Sequence, residues 1–209
     1  MKKNERSKLT EEVKMTKTSF VIPSLARDLK KAAEILKNGG VVIFPTDTVY
    51  GIGCLYDDND ALERIYKIKN RPKGQPFPYL VSKTSQVEKL AIVTPLSRKL
   101  MDQHWPGGLT IVLNSKIASE RIGFRMPNSS LINLLISSVG KPIIGTSANF
   151  HTQPSVATSR QLDPKLRQLV DFVVEGKSKM GIESTVIDTT VSPPKILRQG
   201  AVKIKIRSI

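Results

Sequence analysis

The chain has 209 residues, one cysteine and a formal net charge of +15. That length can bury a full core without covalent staples, and a single thiol rules out an internal disulfide. No apolar run approaches the ~20 residues of a membrane span, and the charge favours an anionic partner: a nucleotide, RNA or an anionic surface.

The first 18 residues are lysine-rich and without periodicity, and read as a basic, flexible tail. They lack the apolar stretch of a signal peptide, and Glu5, Glu11 and Glu12 argue against an organellar presequence. A cytoplasmic protein with one domain over residues 19–209 is the expectation. Ser24 reads as an N-cap, Leu25, Leu29, Ala32, Ala33 and Leu36 as one helix face, and Gly39-Gly40 as its end.

Val41-Val42-Ile43 then reads as a buried strand, and Pro45-Thr46-Asp47-Thr48-Val49-Tyr50-Gly51 as a polar turn at its end. Strand ends that open into polar turns are where ligands sit in α/β folds. By itself the stretch favours strand, turn and strand, with Thr46 and Thr48 bonding their own backbone. Cys54 follows on the second apolar run, where a buried structural thiol is expected.

Asp57 to Asp60 starts a helix carrying Leu62, Ile65, Tyr66 and Ile68. It runs into Lys67-Ile68-Lys69-Asn70-Arg71-Pro72-Lys73-Gly74-Gln75-Pro76, a basic helix end with a shaped loop that can aim Arg71 at phosphates. Further on, Pro78–Ser82, Thr110–Leu113 and Arg121–Met126 read as strands, and Ser85–Leu90, Pro95–Gln103 and Leu131–Val139 as helices. Trp105 reads as a core anchor. Pro142 to Gly145 is a second apolar strand that opens into a polar turn, Thr146-Ser147-Ala148-Asn149. A helix over Ser159–Gln168 and strands over Leu169–Val174, Ser184–Asp188 and Lys195–Arg198 follow, and alternation at Val202, Ile204 and Ile206 suggests a last edge strand.

Several chemistries are excluded. Gly-x-Gly-x-x-Gly is absent, and the Gly176-Lys177-Ser178 end of a Walker-like loop has Asp171 where the upstream glycine belongs. Two histidines and one cysteine cannot make a zinc cluster, and no Gly-x-Ser-x-Gly elbow supports a triad from Ser147 and His151. What remains is hydroxyls at strand ends (Thr46, Thr48, Ser147, Ser184, Thr185), arginines beside them (Arg71, Arg125, Arg198) and the amide of Asn149. Such a set suits nucleotide binding with catalysis by positioning and charge neutralisation.

These segments resemble, in order, the signature blocks of the YrdC-like family in its short TsaC-type form. The blocks are Pro45–Gly51, Lys69-Asn70-Arg71-Pro72, Pro106-Gly107-Gly108-Leu109-Thr110, Arg125-Met126-Pro127, Ser147-Ala148-Asn149, Ser184-Thr185-Val186 and Leu197-Arg198-Gln199-Gly200. The resemblance implies an α/β (α+β) fold: a twisted, mostly parallel mixed sheet with flanking helices and a concave basic cavity. It implies a threonylcarbamoyl-AMP synthase that joins L-threonine, bicarbonate and ATP and releases diphosphate, with Mg²⁺ accompanying ATP and no protein metal ligand. The product would pass to a threonylcarbamoyl-transferase complex for tRNA modification, with direct tRNA contact left open. By the same resemblance Lys69 and Arg71 are catalytic. Arg71, Gln75, Ser147, Asn149, Ser155 and Arg198 bind ATP; Thr48, Arg125 and Ser184 bind threonine.

Three positions depart from the family pattern: Gly108 for a usual proline, Gln75 for a usual asparagine, and Leu80 where longer relatives carry a histidine. The additional C-terminal domain of those relatives is not expected here. The Lys-x-Arg pair sets the chain apart from YciO-like paralogues, which stay open as an alternative. So does a structured-RNA-binding protein without catalysis, for which the net charge speaks.

Overall fold

The computed structural model describes residues 23–72 and 76–204. The terminal tail and Gln75 lie outside the described residues. In chain order the elements are α1 (Pro23–Lys37), β1 (Val42–Pro45), β2 (Tyr50–Leu55), α2 (Asn59–Lys69), β3 (Tyr79–Leu80), α3 (Thr84–Leu90), α4 (Pro95–His104), β4 (Leu109–Asn114) and β5 (Arg121–Arg125). Then come α5 (Ser130–Val139), β6 (Ile143–Ser147), a 3₁₀ turn (Ser159–Gln161), α6 (Pro164–Gln168), β7 (Phe172–Val173), β8 (Thr185–Asp188) and β9 (Lys195–Arg198).

The described strands form one nine-stranded sheet in the order β7-β1-β2-β6-β3-β5-β4-β8-β9. The class and mixed sheet are as expected, but the balance of directions is not. β1/β7, β3/β5 and β4/β8 run parallel, while β1/β2, β2/β6, β3/β6, β4/β5 and β8/β9 are antiparallel. The short links between β1 and β2, β4 and β5, and β8 and β9 force this, because a parallel crossover needs a dozen or more residues.

The two halves of the sheet are covered differently, and that difference makes the cavity. In β1, Val42 and Phe44 join a core with Leu29, Ala32, Ala33 and Leu36 of α1 and Leu135, Ile136 and Val139 of α5. Ile43 faces the other way, with Ile52, Cys54 and the α2 residues Ile65 and Ile68. Helices on both faces leave β1 and β2 buried throughout. Across β4, β5 and β8, Leu109, Ile111, Leu113, Ile122, Phe124 and Ile187 pack with Val87, Leu100 and Met101 of α3 and α4 on one face only. The alternate residues Thr110, Val112, Gly123, Arg125 and Val186 line an open concavity instead.

Local chemistry sets the boundaries. Helix α1 begins at Pro23, so Ser24 lies inside the first turn rather than at the N-cap; proline suits that position because its fixed φ matches the helix and its missing N–H has no partner there. The side chain of Asp58 caps α2 through the Ala61 N–H at 2.9 Å, and Asn70 closes the helix in the left-handed region at φ 48°. Strand β3 is two residues because Pro78 cannot donate to a ladder. The expected helix over 159–168 is two pieces, since Asp163 caps a new start at Pro164 by accepting from Lys165 N at 2.8 Å.

The expected last strand does not form over the described residues 201–204. The Thr185 hydroxyl takes the place of a ladder there: it donates to Val202 O at 2.6 Å and accepts from Gly200 N at 2.9 Å and Val202 N at 3.1 Å. Residues 205–209, including Ile206, lie outside the described residues. Trp105 packs against the α3/α4 core and its indole N–H donates to Leu109 O at 2.7 Å, as a core anchor should. Cys54 is buried, and burial foremost, with Asp58 adding, pushes its thiol up to about 12.

Sheet closure puts its hardest demand on Gly53. A methyl there would stand 2.0 Å from the Ile144 carbonyl oxygen and 3.2 Å from Ile143 Cγ2. Gly53→Ala should therefore cost about 2 kcal/mol or more, the scale of overpacking against a backbone that cannot retreat. Denaturant unfolding measures this, and an unchanged midpoint would mean β2 and β6 can part.

Candidate active site

The open face of β4, β5 and β8, closed in by the turns after β1, α2 and β6, encloses a cavity of about 1200 Å³. Thr48, Lys69, Arg71, Arg125, Ser147, Asn149, Ser184 and Arg198 all line it. Ser155 lies just outside that wall and reaches it through Glu183.

At one end of the cavity sits Arg125, the last residue of β5 and only 6% exposed. Its guanidinium donates to Thr48 Oγ1 at 2.7 Å and to Gly107 O at 3.0 Å, and makes a close ion pair with Asp47. Burial pulls its pKa down and Asp47 opposes that pull. A guanidinium has five N–H donors, so these three contacts leave donors to spare for a carboxylate. The turn is held locally as well: Thr46 Oγ1 donates to Val49 O at 2.7 Å and accepts from Thr48 N at 3.2 Å. Within this stretch Thr46 serves the turn, while Thr48 is tied to Arg125.

The other end is cationic. Lys69, the last residue of α2, is 3% exposed. Its ammonium donates to Ser147 O at 2.5 Å, Asn149 O at 2.7 Å and Asn149 Oδ1 at 3.0 Å. Beyond the left-handed Asn70, Arg71 turns into the cavity and stacks over Phe77 at 4.7 Å. Its Nε is buried with no hydrogen-bond partner among the described residues, and burial foremost draws its pKa down. Arg198 donates through Nε to Ser184 O at 3.0 Å and through Nη2 to Ser184 Oγ at 3.1 Å, and pairs closely with Glu183. Ser184 Oγ shares a hydrogen bond with Thr110 Oγ1 at 2.9 Å.

The family model described as Telomere recombination, which unites the Sua5, YciO and YrdC proteins, matches residues 34–200. The chain belongs to this family. It is 35% identical to the threonylcarbamoyl-AMP synthase of Bacillus subtilis over 188 residues, 83% of this chain and 54% of that protein. The crystal structure of Sua5 from Pyrococcus abyssi in complex with L-threonine superposes with a TM-score of 0.76 at 32% identity, covering 82% of this chain and 54% of that one. YciO of Escherichia coli gives a TM-score of 0.79 at 27% identity, over 86% of this chain and 92% of that one. The chain thus spans about half of the Bacillus and Pyrococcus proteins and nearly all of YciO.

Two departures from the Sua5/YciO/YrdC pattern have structural answers. Gly108 does not loosen its turn: its carbonyl accepts Thr185 N at 2.9 Å, and a Cβ there would meet Ala201 Cβ at 2.9 Å. Leu80 lines the cavity and fills the space above Gly145, where an added Cβ would come within 2.5 Å of Leu80 Cδ1. Sequence reasoning missed two acids. Asp47 compensates the buried Arg125, and its second oxygen Oδ2 is buried with no hydrogen-bond partner among the described residues. Glu183 pairs with Arg198 and receives the Ser155 hydroxyl. Asp47 stood inside a recognised block, and its position before Thr48 was the available signal; Glu183 pairs only through tertiary contacts.

Three oxygens surround the Lys69 ammonium, yet burial foremost, with Arg71 adding, lowers its pKa from 10.5 to about 8. The folded protein then gives up this proton earlier than the unfolded chain does. Between about pH 8 and 10.5 the unfolded state binds more protons at this site, so its contribution to stability rises with pH. Denaturant unfolding across that window should show a smaller upward slope in Lys69→Met than in the wild type; equal slopes would return Lys69 to an ordinary lysine.

Proposed function

We propose that the protein is a threonylcarbamoyl-AMP synthase, a nucleotidyltransferase that uses L-threonine, bicarbonate and ATP. One observation carries the reading: a single cavity holds a buried arginine–hydroxyl end and, across from it, an arginine whose Nε has no described protein partner. The names of the Bacillus and Pyrococcus relatives support it.

In this reading Arg125 receives the threonine carboxylate on its remaining N–H groups, while Thr48 and Ser184 offer hydroxyls to the amino-acid side chain. The threonine nitrogen is carboxylated by bicarbonate with loss of water. A carbamate oxygen then attacks the α-phosphorus of ATP, the bond to the β-phosphate breaks, and diphosphate leaves. Arg71 and Arg198 neutralise the triphosphate as charge moves onto the leaving group. Lys69 contributes its charge from behind the Ser147–Asn149 turn, whose oxygens take its N–H groups. Ser147, Asn149, Ser155 and Gln75 complete the nucleotide side.

The described carboxylates do not fit a resident metal. Asp47, Glu183 and Asp188 each face an arginine, and no group of three or more potential metal-binding side chains occurs among the described residues. Mg²⁺ belongs here to the nucleotide, and no step depends on a protein-held ion. Among the described residues no helix is long and apolar enough to cross a membrane; a cytoplasmic location is part of the proposed reading. Transfer of the threonylcarbamoyl group from the adenylate to tRNA, with release of AMP, falls to a separate threonylcarbamoyl-transferase complex.

Diphosphate release should require threonine and bicarbonate together and proceed without tRNA. Release that ignores either substrate overturns the reading, and RNA binding with a steep salt slope and no turnover would favour the RNA-binding alternative. Arg71→Ala should lower kcat/KM for ATP by about a hundredfold, on the scale of a lost charge-stabilising donor, with the melting temperature nearly unchanged. An unaltered rate would remove Arg71 from the site.

A further inference from the structure

The groups assigned to the nucleotide phosphates already hold an anion. Glu183 accepts the Ser155 hydroxyl on Oε1 and an Arg198 N–H on Oε2. Ser147 and Lys69 act on the same carboxylate; burial pushes its pKa up, and these partners together hold it below the ordinary value. An acid chosen to bind substrate would not be expected to spend itself on four ATP-side groups.

The backbone of Glu183 cannot move away. Its carbonyl accepts Ala201 N at 2.8 Å, and Gly200 passes so close that a Cβ there would lie 2.2 Å from the same oxygen. The side chain, by contrast, is 30% exposed and can leave by turning about its own bonds. A phosphate and this carboxylate want the same charge-assisted bonds from Arg198 and Ser155, and two anions so close repel.

We propose that Glu183 is an internal occupant of the nucleotide-phosphate site, displaced by the incoming polyphosphate. This rests on the reading of the cavity as a nucleotide site. With the cavity empty, the carboxylate neutralises Arg198 and fixes Ser155. A ligand must offer more negative charge than one carboxylate to replace it, which favours polyphosphates over singly charged anions. Arg198 holds Ser184 through two further N–H groups, so exchange of its anion leaves the threonine side in place.

The test uses the full chain and its Glu183→Gln variant, which keeps the shape and an acceptor but removes the charge. Isothermal calorimetry would follow ATP and inorganic diphosphate, each with and without Mg²⁺, and thermal melting would establish that the variant folds. Both anions should bind the variant about tenfold more tightly, a change of roughly 1.4 kcal/mol, in either condition. Equal or weaker binding in the variant overturns the proposal. A loss of ATP affinity confined to Mg²⁺ also overturns it, by making Glu183 a partner of the ion. Wild type and variant that bind ATP equally sink the inference alone, whereas failure of both folded proteins to bind either anion sinks the nucleotide reading with it.

Discussion

The Arg125 guanidinium lies almost wholly out of water, and an uncompensated charge there would cost several kcal/mol. Its compensation comes from three residues on two separate pieces of chain: Asp47 and Thr48 after β1, and Gly107 before β4. Those bonds fix the turn after β1 against the far half of the sheet. The strap that follows β7 is fixed to the same turn, since Met180 N donates to Asp47 O at 2.9 Å and Gly181 N to Thr48 O at 2.8 Å. One buried charge thus gathers the segments that close one end of the cavity. The arrangement is costly in desolvation and demanding in geometry, as a pre-organised site is.

The sheet supplies the complementary constraint. Where helices cover both faces, strand interiors are apolar on both sides, and polar side chains reach the cavity only at strand ends, as Ser147 does on β6. Where only one face is covered, every second residue of β4, β5 and β8 is released to line the cavity. The polar residues therefore alternate with core residues along the same strands: Thr110 beside Ile111, Arg125 beside Phe124. Rigid strands hold these side chains in place more firmly than loops would, and of the cations across the cavity only Arg71 stands beyond the end of its element, with Lys69 closing α2 and Arg198 closing β9.

Much of this was legible in the sequence because it is local. The β-branched runs, the caps at Asp58 and Asn70, and the closure of α5 at Gly140 follow from residue type and spacing. The candidate site residues were legible through short blocks, and most of them converge on one cavity. What escaped reading depends on contacts distant in sequence. No periodicity reports that Glu183 reaches back to Ser155, or that the Thr185 hydroxyl replaces a ladder for residues 200–202. The alternation at Val202 and Ile204 was real, but it reflects packing on the α3/α4 core rather than a strand. Lys69 stands at a helix end, where a cation usually meets water, and it is buried because α2 ends against the Ser147–Asn149 turn.

The placement of β8 and β9 has a consequence for how the molecule comes into being. Glu183, Ser184 and Arg198 follow the strands of the helix-covered half in sequence, yet β8 pairs with β4, which precedes β6 and β7. A nascent chain can close the helix-covered half of the sheet while the concavity still lacks one wall. The wall that carries Glu183, Ser184 and Arg198 is therefore completed only after the scaffold it closes, as β8 and β9 dock.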